Sequence, residues 1–227
     1  MSIRPAVLLV AVSLLAGCRS AEPLDWEKRA ETHRQRADLG NSYAQYLYGE
    51  CLRRGRGVPQ DASLALHYFR LAAEQGHVTA QCRLGEAYLA GSGTPPDAAE
   101  AAGWFRLAAE QGNPVAANNL GVLYLTGNGV ATDKKQAILF FFQAAEAGYV
   151  LGELNLGRAC LEGNGLPRNS AKAKFYLKRA AAQGNADAWR SLADLYLGLG
   201  RNAEAERCRQ RAMEAETAKQ TANPERP

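Results

Sequence analysis

Histidine is scarce in this chain: there are three in 227 residues, His33, His67 and His77. No two of them lie at a spacing that would aim both rings at one metal ion from a helix. The sequence also lacks H-E-x-x-H, C-x-x-C, G-x-S-x-G and the phosphate-binding G-x-x-x-x-G-K-S/T. Zinc hydrolysis, dithiol redox chemistry, the hydrolase elbow and P-loop chemistry therefore have no candidate residues. S-x-x-K, S-D-N and K-T-G are missing too, and the nearest fragment, Ser170-Ala171-Lys172, has the wrong spacing for serine β-lactam chemistry. Charge of one sign is not concentrated either. The net charge of +4 falls to +3 without residues 1–17 and is evenly spread, too mild a balance to imply a nucleic-acid-binding footprint or a polybasic membrane contact. No apolar run is long enough to span a bilayer. The expectation is a chain without cofactor, metal or catalytic residues.

What the chain has instead is repetition. The octet FRLAAEQG occurs at 69–76 and again, letter for letter, at 105–112. The 36-residue spacing holds outside the octet. A small residue recurs at Ala44, Ala80, Ala116, Gly152 and Ala188, then an apolar residue with glycine at Tyr48-Gly49, Leu84-Gly85, Leu120-Gly121 and Leu156-Gly157. Leu52, Tyr88, Tyr124, Cys160 and Tyr196 follow, and these positions fall on one helix face. Paired glycines at 55 and 57, 91 and 93, 127 and 129, and 163 and 165 predict the end of that helix. Asp61, Asp97, Asp133 and Asn169 then cap a second helix by accepting from its orphan amides. That helix carries Ala65, Ala101, Ala137 and Ala173, an aromatic at Tyr68, Trp104, Phe140 and Tyr176, then Ala72, Ala108, Ala144 and Ala180. It closes at Gly76, Gly112, Gly148 and Gly184. Small residues let the paired helices approach, with Tyr68 and Trp104 as core aromatics. Arg70, Glu74 and Gln75, with their copies Arg106, Glu110 and Gln111, are expected in solvent.

This pattern resembles the Sel-1-like repeat, a relative of the tetratricopeptide repeat; Ala116-Ala117-Asn118-Asn119-Leu120-Gly121, Gly127-Asn128-Gly129-Val130 and Asp133 form its clearest copy. The resemblance implies an all-α, right-handed superhelical α-solenoid of antiparallel helix pairs. Its expected parts are a leading half-repeat at 25–43, four units at 44–79, 80–115, 116–151 and 152–187, and a degenerate capping unit at 188–216. A disordered tail at 217–227 follows. Asp25 and Gly40 occupy the cap and closing positions of the half-repeat, and stacking buries the faces that one hairpin leaves open.

The N-terminus carries a location signal. Arg4 precedes the apolar run Ala6 to Leu15, the layout of a secretory signal peptide. Leu15-Ala16-Gly17-Cys18 resembles the bacterial lipoprotein signal. The resemblance implies removal of residues 1–17, lipidation of Cys18, and a tether at 18–24. Arg19, rather than Asp, favours the outer membrane under the same resemblance.

Four further cysteines remain, and the repeat frame keeps them apart. Cys51 and Cys82 are five positions out of register on neighbouring first helices. That offset is about 7.5 Å along the axis and, with about 9 Å between axes, sets their Cα atoms about 12 Å apart, beyond the roughly 7 Å of a disulfide. Cys160 and Cys208 lie on helices not expected to touch. All four are expected as buried thiols, and the three histidines as surface residues.

In tetratricopeptide arrays the first helices line a concave side, and exposed positions fall one before and two, three and six after the repeat's opening small residue. The resemblance nominates Tyr43, Tyr46, Glu50, Thr79, Arg83, Glu86, Asn118, Asn119, Leu151, Asn155, Arg158, Asp187, Arg190 and Asp194 as a partner-binding groove. Gly49, Gly85, Gly121 and Gly157 are expected to be structural, as are the caps Asp61, Asp97, Asp133 and Asn169. The expected role is a lipid-anchored scaffold binding another envelope protein or peptide. Binding of peptidoglycan or another envelope glycan is the alternative, and a hydrolase with an unrecognised site the weaker one.

Overall fold

The computed structural model describes residues 25–221. The expected signal segment 1–17, Cys18 with the expected tether 18–24, and residues 222–227 of the expected tail lie outside them. Among the described residues the chain forms eleven α-helices and no strand. They are α1 (Trp26–Asp38), α2 (Ser42–Arg54), α3 (Ala62–Glu74), α4 (Val78–Ala90), α5 (Ala98–Glu110), α6 (Pro114–Thr126), α7 (Lys134–Glu146), α8 (Val150–Glu162), α9 (Ser170–Ala182), α10 (Ala186–Gly198) and α11 (Asn202–Thr221).

Helices α1 to α10 are all 13 residues long, and the equality has a cause at each end. Asp61, Asp97, Asp133 and Asn169 cap α3, α5, α7 and α9 as expected. The even helices have caps that the repeat pattern did not reveal: Asn41, His77, Asn113 and Asn185 accept from the third helical amide. Helix α8 follows Tyr149, which makes no side-chain cap. At the other end, Gly55, Gly91, Gly127 and Gly163 terminate α2, α4, α6 and α8 with φ between +65° and +81°, a region that side-chain-bearing residues enter at a cost.

The second glycine of each pair has a separate task. A Cβ on Gly57, Gly93, Gly129 or Gly165 would overlap backbone atoms at the start of the preceding unit's second helix, at Trp26, Ala62, Ala98 and Lys134. One glycine therefore ends a helix, and its neighbour seats the turn against the unit before it.

The packing within each pair corrects the expected core. Tyr68, Trp104, Phe140 and Tyr176 are only half-buried. The following residues, Phe69, Phe105, Phe141 and Leu177, are buried and lie flat on the packing glycines. A Cβ on Gly49, Gly121 or Gly157 would stand 2.7–2.8 Å from Phe69, Phe141 and Leu177, and one on Gly85 would stand 2.8 Å from Phe105. Burying one such side chain contributes about 1.5–3 kcal/mol. The degenerate unit departs consistently: Ala193 replaces the glycine, and the exposed Arg209 occupies the ring position.

Successive helices pack pairwise along the chain, and sparser contacts between alternate helices join α4 to α6, α6 to α8 and α8 to α10. The first helices thus crowd the inner side of a curved stack, and the second helices cover the outside. Helix α11 runs for 20 residues to Thr221, so residues 217–221 of the expected tail are helical. Glu216 stands where the other second helices meet their closing glycine, and nothing stops the helix there.

The packing glycines and a glycine in open space should respond oppositely to the same methyl group. Gly121→Ala is expected to lower stability by about 1–3 kcal/mol through overpacking against Phe141. Gly103→Ala, in α5 with nothing within 4 Å of the new carbon, is expected to raise it by about 0.5–1 kcal/mol. Urea denaturation measures both.

Candidate functional site: the inner face

The inner face is built from α2, α4, α6, α8 and α10, and its side chains largely bond to one another. At the N-terminal end Glu50 is the hub. Its oxygens lie 2.8 Å from Arg53, 2.9 Å from Arg54 and 3.1 Å from Arg83, and Arg83 Nη1 donates to Glu86 at 2.7 Å. Burial pushes the Glu50 pKa up, but the three guanidiniums outweigh it and hold the carboxyl below its ordinary value.

The centre is an amide rung. Asn155 Nδ2 donates to Asn118 Oδ1 at 2.8 Å, and Asn118 approaches Asn119 at 3.5 Å. Asn118 was expected to be exposed; it is 4% exposed, because α8 closes over it and takes its oxygen. Toward the C-terminus Arg158 Nε donates to Ser191 Oγ at 3.0 Å. Arg190 bonds Asp187 at 2.9 Å and also Glu216 of α11. Thr79 and Asp194 make no side-chain hydrogen bond among the described residues; Asp194 is exposed and Thr79 half-buried.

The sequence reading therefore assembled residues of one surface, but that surface is not a row of free donors. Glu50, Arg83, Glu86, Asn118, Asn119, Asn155, Arg158, Asp187 and Arg190 are engaged with neighbours. The uncovered contact area is apolar and aromatic: Tyr43 is 60% and Leu151 41% exposed, and Tyr46 stands half-buried beside Tyr43.

His77 joins this aromatic end and is no simple surface histidine. Its ring stacks on Tyr46 at 4.9 Å and on Tyr43 at 5.9 Å, while Nδ1 accepts from the Ala80 amide at 3.2 Å. That bond requires an unprotonated Nδ1. Burial lowers the His77 pKa, which favours the same state.

A second set of polar residues, missed in the sequence, ties each unit to the next. Ala37, Ala73, Ala109 and Ala145 are equivalent positions near the end of the odd helices. Gln45 and Gln81 donate to the carbonyls of Ala37 and Ala73, and Gln75 and Gln111 donate to those same glutamines at 2.8 and 2.7 Å. Unit three has Ala117 and Ala147 at both glutamine positions, and there Gln143 donates to the Ala109 carbonyl. In unit four Arg179 donates to the Ala145 carbonyl and pairs at 2.7 Å with Glu153, which also accepts from Gln183. Arg70 and Arg106, expected in solvent, donate to the hydroxyls of Tyr88 and Tyr124 in the following units. Repetition of Gln75 at Gln111 and of Gln45 at Gln81 was the available signal.

Among the described residues Cys51, Cys82, Cys160 and Cys208 are free and buried, as expected. Burial pushes the Cys82 thiol up to about 12, and it raises the other three as well. These are poor nucleophiles at neutral pH.

An all-helical stack of paired helices with one continuous inner face defines the repeat-scaffold class of protein. The chain belongs to the Sel1 repeat family: the model described as "Sel1 repeat" matches residues 42–77, 78–113, 114–149 and 150–185, each frame beginning where an even helix begins. The crystal structure of a protective antigen present in uropathogenic Escherichia coli strains, displaying an SLR fold, is 37% identical with a TM-score of 0.78. The match covers 82% of this chain and 41% of that protein, so this chain spans about two fifths of its length. A Sel1 repeat protein from Oxalobacter formigenes is 30% identical with a TM-score of 0.73, over 82% of this chain and 76% of that one. An immunity protein from Pseudomonas aeruginosa shares the fold at 22% identity and a TM-score of 0.53, over 84% and 73%. Among curated proteins, none matches the chain.

The His77 cap should make stability depend on pH in a known direction. Its folded pKa lies below the unfolded value, so the cap's contribution is present above about pH 6.5 and is lost as pH falls through the folded value. His77→Asn, which installs the cap used at Asn41, Asn113 and Asn185, is expected to remove this dependence. Thermal unfolding of both proteins should show the wild type losing about 1 kcal/mol more than the variant between about pH 7.5 and pH 5.

Proposed function

We propose that this chain is a non-enzymatic scaffold, lipid-anchored through Cys18 in the bacterial cell envelope, that holds another envelope protein or peptide on its inner face. The observation that carries the reading is the division of that face. Most of its polar side chains are bonded to one another, whereas Tyr43, Tyr46 and Leu151 present apolar surface with little left to desolvate. Aromatic anchors beside an already bonded polar surface are what a protein contact uses, because the ring area is gained without stranding buried donors.

An extended peptide fits this arrangement if its side chains reach the Tyr43 and Tyr46 end while its backbone replaces weak bonds such as the 3.5 Å Asn118–Asn119 approach. Anchoring on the periplasmic side of the outer membrane is supported by Ala6 to Leu15 followed by Leu15-Ala16-Gly17-Cys18, with Arg19 next.

Two measurements test the two halves separately. Palmitate labelling in cells should mark the wild type and be absent from Cys18→Ala; an unlabelled wild type rejects the anchor. Crosslinking and affinity capture should recover a partner whose yield falls about tenfold in Tyr43→Ala/Leu151→Ala, as expected for loss of two contact residues. A capture profile identical for wild type and variant rejects the inner face as the binding surface.

A further inference from the structure

Among the described residues helix α1 is a second helix without a first helix beside it, and its sequence changes at the positions a first helix would cover. Ala65, Phe69 and Ala72 of α3 are buried against α2 and its surroundings. The residues 36 positions earlier are Arg29, His33 and Arg36. An end cap needs only polarity there; these three are all cationic or protonatable, and they lie at i, i+4 and i+7 on one face. Burial and then the fields of Arg36 and Arg29 hold the His33 pKa down, as a concentration of positive charge requires.

This face shares a cavity of about 420 Å³ with α2, lined by Trp26, Arg29, His33, Tyr46, Arg54 and Arg56 among others. The guanidiniums of Arg56 and Arg29 lie 5.0 and 5.8 Å from the Trp26 ring centroid. Among the described residues Arg29, Arg36 and Arg56 form no ion pair, while all but one of the nearby acids are occupied. Glu31 pairs with Arg34, Asp38 accepts from Tyr68, Asp25 accepts from the Lys28 amide, and Glu50 is held by Arg53, Arg54 and Arg83, which leaves the exposed Glu27 as the one unpaired acid at this end among the described residues. The cavity is thus aromatic at its rim and cationic on balance: Glu50 also lines it but is bound to Arg54, whereas Arg29 and Arg56 keep their charge unpaired.

We propose that this cavity receives the phosphate headgroup of an anionic lipid, so that the α1 end of the solenoid lies on the membrane. The inference rests on the anchor reading for its geometry: six residues separate Cys18 from Asp25, which holds the start of α1 within about 25 Å of the Cys18 backbone. At that distance the arginines beside an exposed tryptophan reach the headgroup layer, where basic residues are attracted to anionic lipid.

The test uses residues 18–227 with Cys18→Ser, which retain all eleven helices and carry no acyl chain, so failure here is distinct from failure of Cys18 labelling. Cosedimentation is measured with vesicles of phosphatidylcholine alone and of phosphatidylcholine mixed with phosphatidylglycerol. The protein should bind only the mixed vesicles, Arg29→Gln/Arg56→Gln should reduce binding about tenfold, and Arg207→Gln/Arg209→Gln, the same charge change at the far end, should leave it unchanged. Equal urea midpoints verify that the variants are folded. Binding to neither vesicle, equal binding to both, or equal losses in the two double variants would overturn the proposal.

Discussion

The contact on which the array depends is a flat side chain laid on a bare backbone. Phe69, Phe105, Phe141 and Leu177 each cover a glycine of the partner helix at a distance that leaves no room for a methyl group. This fixes the spacing of each helix pair, and the spacing determines which residues can reach across. In the last unit, where the exposed Arg209 stands in sequence at the place of the covering side chain, Ala193 stands at the place of the glycine.

The pairs are joined by a different chemistry. Apolar packing is non-directional and would tolerate a slip between units, whereas a hydrogen bond to one carbonyl would not. The carbonyls of Ala37, Ala73, Ala109 and Ala145 each receive a side-chain donor, from glutamine in the first two cases, Gln143 in the third and Arg179 in the fourth. The donor changes identity and even helix, but the acceptor does not. Leaving such a carbonyl dry costs about 1–3 kcal/mol, which explains why the position is satisfied by whatever residue can reach it. The second glycines add register by pressing each turn onto the backbone of the preceding unit.

The inner face follows from both constraints. Close stacking of first helices brings Glu50 to Arg83, Asn155 to Asn118 and Arg158 to Ser191, so polar residues that resemble a ligand-binding row in the sequence spend their bonds on one another. The remaining open surface is gathered at Tyr43, Tyr46 and His77 and at Leu151. The ends differ from the middle because each lacks a neighbour: α1 replaces its packing residues with Arg29, His33 and Arg36, and α11 runs past the point where its relatives stop.

Helix number, the glycine ends of the first helices, the caps of the second helices and the order of units were legible in the sequence, because they depend on local chemistry that repeats every 36 residues; the caps of the first helices and the end of α11 were not. Glycines with positive φ, Asp and Asn caps, and a helical period of small residues require no knowledge of the rest of the chain. The separation of the cysteines was legible too, since register and helix rise decide it. Which aromatic enters the core was not: Tyr68 and Phe69 are adjacent and similar, and only the rotation of α3 on α2 decides that Phe69 meets Gly49. Nor was the burial of Asn118 or the employment of Gln75, Gln111, Arg70 and Arg106. Their partners lie 18 to 37 residues away, and a contact at that range exists only once helix crossing and stack curvature have placed two units together.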